Sequence, residues 1–165
     1  MTELQKMAVE VGFDHTAEIH VSDLEFNPDY RKYCEDNLCG NYNVLPACPP
    51  ICGSVQEMKE KAQQYEKALI LQTVWEAEDF NEERTLKKKK QKHNEMTKKL
   101  VSRFKEQGIE GLTMAAGPMG KDSCLSAYCI DARKMAETAG MEYWMGNDRI
   151  AYFTLFLHQR QKGED

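Results

Sequence analysis

Ile150-Ala151-Tyr152-Phe153-Thr154-Leu155-Phe156-Leu157 is the stretch on which the fold class turns. It is apolar almost throughout and sits between Arg149 and His158. A run of this length reads as a central strand covered on both faces. A second run, from Lys67 to Trp75, is rich in apolar and β-branched residues and reads as another buried strand. Working outward, Ala17-Glu18-Ile19-His20-Val21 alternates apolar and polar residues, the pattern of a half-buried strand, and residues 111–116 form a short strand.

Helical patterns separate these strands. Pro28 sits at the first position of one or two helical turns reaching Asp36, with Asn27 as the cap. Ser54 and Glu57 make a capping box, and Val55, Met58, Ala62 and Tyr65 follow at helical spacing. Residues 79–107 carry Phe80, Leu86, His93, Met96, Leu100 and Phe104 as a stripe ended by Gly108, which predicts a long helix. A further helix spans residues 132–139 and stops at Gly140. The expected fold is mixed α/β: a central four- to five-stranded sheet with packed helices and a cysteine-rich loop, in one domain over residues 1–165. The segments between strands are long enough for crossovers, so some parallel pairs are expected.

Composition narrows the function. No apolar run approaches the ~20 residues of a membrane-spanning helix. The start, Met1-Thr2-Glu3-Leu4-Gln5-Lys6, lacks the basic-then-apolar pattern of a secretory signal, so a reducing cytoplasm is the expected location. The net charge is −5. Residues 79–106 contain ten basic and five acidic residues, a net +5, which leaves −10 for the remainder. An acidic protein is a poor nucleic-acid binder. The Lys87-Lys88-Lys89-Lys90-Gln91-Lys92 run is the one basic patch, and its expected state is a solvated helix face with acidic i,i+4 partners.

Six cysteines remain. Cys34, Cys39, Cys48 and Cys52 lie within 19 residues, and Cys124 and Cys129 form a second pair. Grouped cysteines in a reducing compartment point to metal binding or redox chemistry more than to disulfides. Residues 37–53 hold three prolines, two glycines and three cysteines, an ordered loop with no regular structure. Pro46, Pro49 and Pro50 pre-bend the backbone, and Gly40 and Gly53, each directly after a cysteine, permit tight turns that aim backbone N–H groups at sulfur. Several thiolates delivered to one point suit zinc or an iron–sulfur cluster. The spacing is neither that of a zinc ribbon nor that of the regular ferredoxin run, so a redox thiol set and inert buried thiols stay open as alternatives.

Cys39-Gly40-Asn41-Tyr42 followed by Cys48-Pro49-Pro50 resembles the cysteine–tyrosine–CPP signature of the predicted metal-binding proteins of family DUF2284. Arg133-Lys134-Met135-Ala136-Glu137-Thr138-Ala139-Gly140-Met141-Glu142 is similar to that family's later segment at Arg133, Glu137 and Gly140, with Glu142 where an Asp is usual. The likeness spans roughly residues 34–157. It implies cysteine ligation of a metal or cluster. Met119 stands where the family's late run leads one to expect a cysteine, so Cys124 and Cys129 are left to complete the first site, as the set Cys39, Cys48, Cys124 and Cys129.

The other constellations carry less. Gly117-Pro118-Met119-Gly120-Lys121-Asp122-Ser123 fails as a phosphate loop, because Ala115 and Asp122 occupy the places of the first glycine and the Ser/Thr. His93 is expected at the edge of the core, His20 and His158 in strands, and none of the four histidines has ligand spacing with a cysteine. The methionines, Met114, Met119, Met135, Met141 and Met145 among them, are expected in the core. There is no Ser/His/Asp set, no dinucleotide fingerprint and no Cys-x-x-Cys, so catalysis is left open. The reading is a cysteine-ligated metal or iron–sulfur protein using Cys34, Cys39, Cys48, Cys52, Cys124 and Cys129. Electron transfer or metal handling, with a redox or other protein partner, is the expected role. The rival is a non-catalytic regulatory or interaction protein with a degenerate metal site.

Overall fold

A computed structural model describes residues 1–36, 40–76, 83–143, 146 and 148–161. The two apolar runs pair with each other. β2 (Lys67–Glu76) and β4 (Arg149–His158) run antiparallel over ten residues, from Lys67 opposite His158 to Glu76 opposite Arg149. β1 (His15–His20) borders β2, and β3 (Gly111–Met114) borders β4, giving the order β1-β2-β4-β3.

Side chains alternate across this sheet, as the two-residue period of a strand demands. Ala68 and Ile70 of β2 join Phe153, Leu155 and Leu157 of β4 in one core. The helices over it are α3 (Val55–Gln63), through Met58 and Ala62, and α5 (Ala132–Ala139), through Met135 and Ala136. Leu69, Leu71 and Phe156 face the other way, against α1 (Glu3–Val11), through Leu4, Met7 and Ala8, and α4 (Glu83–Glu106), through Leu100 and Phe104. Both faces are dry, which is why these strands show no polar alternation.

All three pairings are antiparallel, so the expected parallel neighbours do not form. The crossover is present nonetheless. β2 and β3 both oppose β4, so they run in the same direction, and α4 connects them. The last strand of the chain is inserted between the two, a split βαβ arrangement. The crossover length shows that β2 and β3 run the same way, and says nothing of what lies between.

The helical expectations hold within a residue or two. Asn27 accepts from the Asp29 N–H and opens a 3₁₀ turn, Pro28–Tyr30, that runs into α2 (Arg31–Glu35). Ser54 and Glu57 cap α3 reciprocally, and Gly140 ends α5 in the left-handed region. α4 is one unbroken helix of 24 residues. Asp79 and Phe80 lie outside the described residues. α1 was not expected, although Thr2 and Gln5 form the same reciprocal cap: Thr2 Oγ1 accepts from the Gln5 N–H and Gln5 Oε1 from the Thr2 N–H. No helix of the described residues is long and apolar enough to cross a membrane.

His93 corrects the expectation of a core-edge residue. It is fully buried between α4 and the sheet. Its Nδ1 lies 2.7 Å from Thr73 Oγ1 and its Nε2 2.8 Å from Thr154 Oγ1. Trp75 Nε1 donates to Thr73 Oγ1, and Thr97 Oγ1 donates to the His93 carbonyl. Thr97 Oγ1 and Thr154 Oγ1 lie 2.8 Å apart, so with a neutral ring protonated on Nε2 each hydroxyl in this chain donates once and accepts once. Burial holds the His93 pKa down at about 4. A folded-state pKa below the unfolded value means that the unfolded chain takes up the proton first as pH falls. The contribution of His93 is therefore complete above the ordinary histidine range and is lost as pH falls from about 6.5 towards 4. Urea unfolding is expected to show about 2 kcal/mol less stability at pH 5 than at pH 7.5. His93→Leu is expected to flatten that dependence, and an unchanged slope in the variant would rule His93 out as its source.

Candidate metal centre

The cysteines are presented by three segments, each shaped by its own local chemistry. Cys34 occupies the last turn of α2. Cys48 and Cys52 lie in a chain of turns: the Cys48 N–H donates to the Leu45 carbonyl, the Cys52 N–H to the Cys48 carbonyl and the Asn43 N–H to the Pro49 carbonyl, at 3.0, 3.0 and 2.8 Å. Gly53, directly after Cys52, has φ +131°, a conformation only glycine adopts freely. Cys124 is bridged to Ala115 at the end of β3, and the Ala115 N–H donates to the Ser123 carbonyl at 3.0 Å. Cys39 lies outside the described residues, and with it the expected approach of Cys39 to Cys48.

Cys34 and Cys124 meet. Their thiols are hydrogen-bonded, and this contact is the main reason the Cys124 pKa is held down, at about 6. Burial opposes it, while backbone groups of Ala127 and Ser126 and the charge of Lys90 add to it. The Cys52 pKa is raised, chiefly by burial and also by the Cys124 charge, against the lowering effect of the Arg31 guanidinium and a hydrogen bond with Ser123. Cys52 Sγ also lies 3.4 Å from the Met58 thioether. Cys129 sits in the left-handed region, at φ +61°, with its Sγ 4.0 Å from the Pro28 carbonyl. Cys48 is buried. Among the described residues, no three His, Cys, Asp or Glu side chains are drawn together tightly enough to hold a metal ion.

Two cations at this site were not singled out in the sequence. Arg31, one helical turn before Cys34, is 7% exposed. Its Nη1 donates to the Gly53 carbonyl at 2.9 Å, and its Nη2 to the Ala127 carbonyl at 2.8 Å and the Met58 Sδ at 3.0 Å. Its Nε has no partner, and among the described residues no carboxylate pairs with it. Its charge acts on Cys52 and Cys129. A buried cation without an anion is costly, so Arg31 favours thiolates in this pocket, although burial still holds the Cys52 and Cys129 pKa values above the ordinary thiol value. The one signal in the sequence is the i,i+3 spacing of Arg31 and Cys34 on a short helix.

The second cation is Lys90, and it revises the reading of the lysine run. Lys87, Lys88 and Lys92 are exposed, as expected, but Lys89 and Lys90 are half-buried. Lys89 Nζ donates to the Glu76 carbonyl. Lys90 lies over Gly117, where a Cβ would come within 2.8 Å of its Cε and 3.0 Å of its Nζ.

Residues 17–124 match the predicted metal-binding proteins of family DUF2284. The chain belongs to that family. No curated protein and no solved structure matches it. The DUF2284 match takes in Cys34, Cys39, Cys48 and Cys52 and ends on Cys124, so it leaves out Cys129 and the later segment around Arg133. Structure gives that segment a plain role. α5 is capped by Asp131, buries Met135 and Ala136, and exposes Arg133 and Glu137. Residues 117–123 are no phosphate cradle either, since Met119 and Asp122 exchange backbone hydrogen bonds at 2.9 Å in a closed turn. His93 and His158 are taken up by Thr73 and Thr154 and by Glu18 and the Gln159 carbonyl, and His15 and His20 lie on the edge strand farthest from β3.

Gly53 positions Cys52 and supplies an acceptor to Arg31, and a Cβ there would also stand 3.4 Å from Met58 Cγ. Gly53→Ala is expected to cost about 1–2 kcal/mol of stability. A thermal midpoint equal to that of the unmodified chain would show that the φ of this turn is not under strain from the substitution.

Proposed function

We propose that this chain holds a metal ion or iron–sulfur cluster through cysteine thiolates and serves electron transfer or metal handling in a reducing cytoplasm. The observation that carries the reading is the meeting of Cys34, from α2, with Cys124, from the loop after β3, beside a buried arginine that pairs with no carboxylate of the described residues. Thiols from segments 90 residues apart in sequence gain nothing in core stability that apolar side chains would not supply better. Thiolates brought together next to a cation make a soft-donor site.

Cys34, Cys124 and Cys52 form the proposed heart of the ligand set, with Cys39 and Cys48 from the same loop completing it. Cys129 lies against Pro28 and the Arg31 guanidinium, outside the matched region, and is placed at the edge of the set rather than among the ligands. A bound zinc would tie the three segments together, and a bound cluster would add one-electron chemistry. A protein redox partner follows from the second case.

Anaerobic preparation followed by metal and sulfide analysis tests this. About one zinc per chain, or iron with matching sulfide and visible absorbance, is expected. Cys34→Ser and Cys124→Ser are each expected to lose most of the bound metal, and Cys129→Ser to keep it. Full metal content in the Cys34→Ser, Cys124→Ser double variant would overturn the assignment.

A second reading, an interaction protein with a degenerate centre, draws on the absence of a tight three-ligand group among the described residues and on Met119, a buried methionine where a cysteine is expected. It predicts a chain that carries no metal and keeps its melting temperature in chelator.

A further inference from the structure

The thiol site is approached by two positive charges from two different helices, and among the described residues neither pairs with a carboxylate. Arg31 reaches it from α2. Its fork is occupied by two carbonyls and a thioether, all neutral, and no carboxylate of the described residues pairs with it. Lys90 reaches it from α4. One helical turn on, Asn94 staples α4 to the segment that carries Cys124: its Nδ2 donates to the Ala116 carbonyl and its Oδ1 accepts from the Ala116 N–H, both at 3.3 Å. Ala115 is bridged to Cys124, and Gly117 leaves the space in which the Lys90 stem lies. The Asn94 clamp and the missing Cβ together fix where this lysine sits. Gly117 has φ +110°, so any other residue there would both strain the backbone and displace the lysine.

We propose that Arg31 and Lys90 are positioning residues that supply the counter-charge of an anionic thiolate centre, so that the centre retains its metal only while both cations are in place. The inference rests on the metal-binding reading above and says which kind of centre it is. Three or four thiolates around a divalent ion leave a net charge of −1 or −2, and in a partly buried pocket that charge needs cations nearby. A centre of neutral imidazoles, or one with a single thiolate, would be repelled by the same pair. Lys90 is half-buried and Arg31 almost fully so, and their effect is therefore screened less than that of the exposed lysines beside them.

The test uses the full chain, prepared anaerobically and loaded with zinc as the probe, and times zinc release to a colour-forming chelator. Lys90→Glu is expected to release zinc about tenfold faster than the unmodified chain, and Lys90→Arg at nearly the unmodified rate. Lys88→Glu makes the same charge change on an exposed neighbour and is expected to stay within about twofold, since solvent and salt screen it. The Lys90→Glu effect should shrink as salt is raised, which a packing defect would not do. Arg31→Lys keeps the charge and loses the fork, and Arg31→Gln loses both. Slower release from Arg31→Lys than from Arg31→Gln separates charge from scaffolding. If the Arg31 variants do not fold, the Lys90 series decides. Equal release from Lys90→Glu and Lys88→Glu, with zinc bound to the unmodified chain, overturns this inference alone. An unmodified chain that takes up no zinc, iron or cluster overturns it together with the metal-binding reading.

Discussion

The ten-residue antiparallel ladder between β2 and β4 is the constraint on which the rest hangs. Each of these strands has neighbours on both edges and helices over both faces, so a one-residue slip would turn Ala68, Ile70, Leu155 and Leu157 into the wrong core and expose Gln72 and Thr154 to the other layer. The register also fixes the chemistry at its ends. It brings Thr73 and Thr154 to the same face, where His93 of α4 takes a hydrogen bond with each. A polar trio of this kind tolerates no rotation of α4, so the histidine that looks like one member of an apolar stripe sets the angle of the helix.

That angle matters for the thiol site. α4 meets the segment after β3 through Asn94 and Ala116, one turn before His93 is repeated by Thr97, and the same placement brings Lys90 over Gly117. Sheet register, buried histidine, asparagine clamp and lysine thus form one mechanical series. On the opposite layer Arg31 performs the corresponding task, gathering α2, Gly53 at the start of α3 and Ala127 beyond Cys124. The thiols lie where these two tethered layers meet the end of β3. None of the three segments that carry cysteines is long enough to be stable alone, and the loop of residues 40–53 has no ladder at all, so the site depends for its shape on the core behind it.

Much of this was legible in the sequence, and what was missed has particular causes. Strands announced themselves through burial on both faces, and α3 and α5 through Ser54, Asp131 and Gly140. α1 escaped although Thr2 and Gln5 form a capping box like that of Ser54 and Glu57, and although Leu4, Met7, Ala8 and Val11 follow it at helical spacing. Strand order escaped for a deeper reason: a crossover of the length of α4 specifies that β2 and β3 run the same way, while the insertion of β4 between them depends on pairings made by the last part of the chain. In the site, cysteine grouping was readable from spacing. The approach of a late cysteine to the first group was expected from Met119 standing in the place of a cysteine, while Cys34 as the residue that Cys124 meets is a product of topology. Arg31 and Lys90 were invisible for opposite reasons, one as a lone charge on a short helix and the other as one of four identical neighbours.

The lysine run shows how a repeated residue acquires distinct tasks. Successive residues on an α-helix are turned by about 100°, so four lysines in a row cannot share an environment. Lys87 and Lys88 point to water, Lys89 turns back to the carbonyl that ends β2, and Lys90 crosses the glycine beneath the thiol site. The three outward or strand-facing lysines help to give α4 ten basic residues against three acidic ones in a chain that is acidic overall. Their charge acts through solvent and falls away within a Debye length. Lys90, half-buried over Gly117, is screened less than its exposed neighbours. The basic character of α4 is therefore two features superposed: a screened surface field, set by composition, and one placed cation, set by helical phase and by the absence of a Cβ at residue 117.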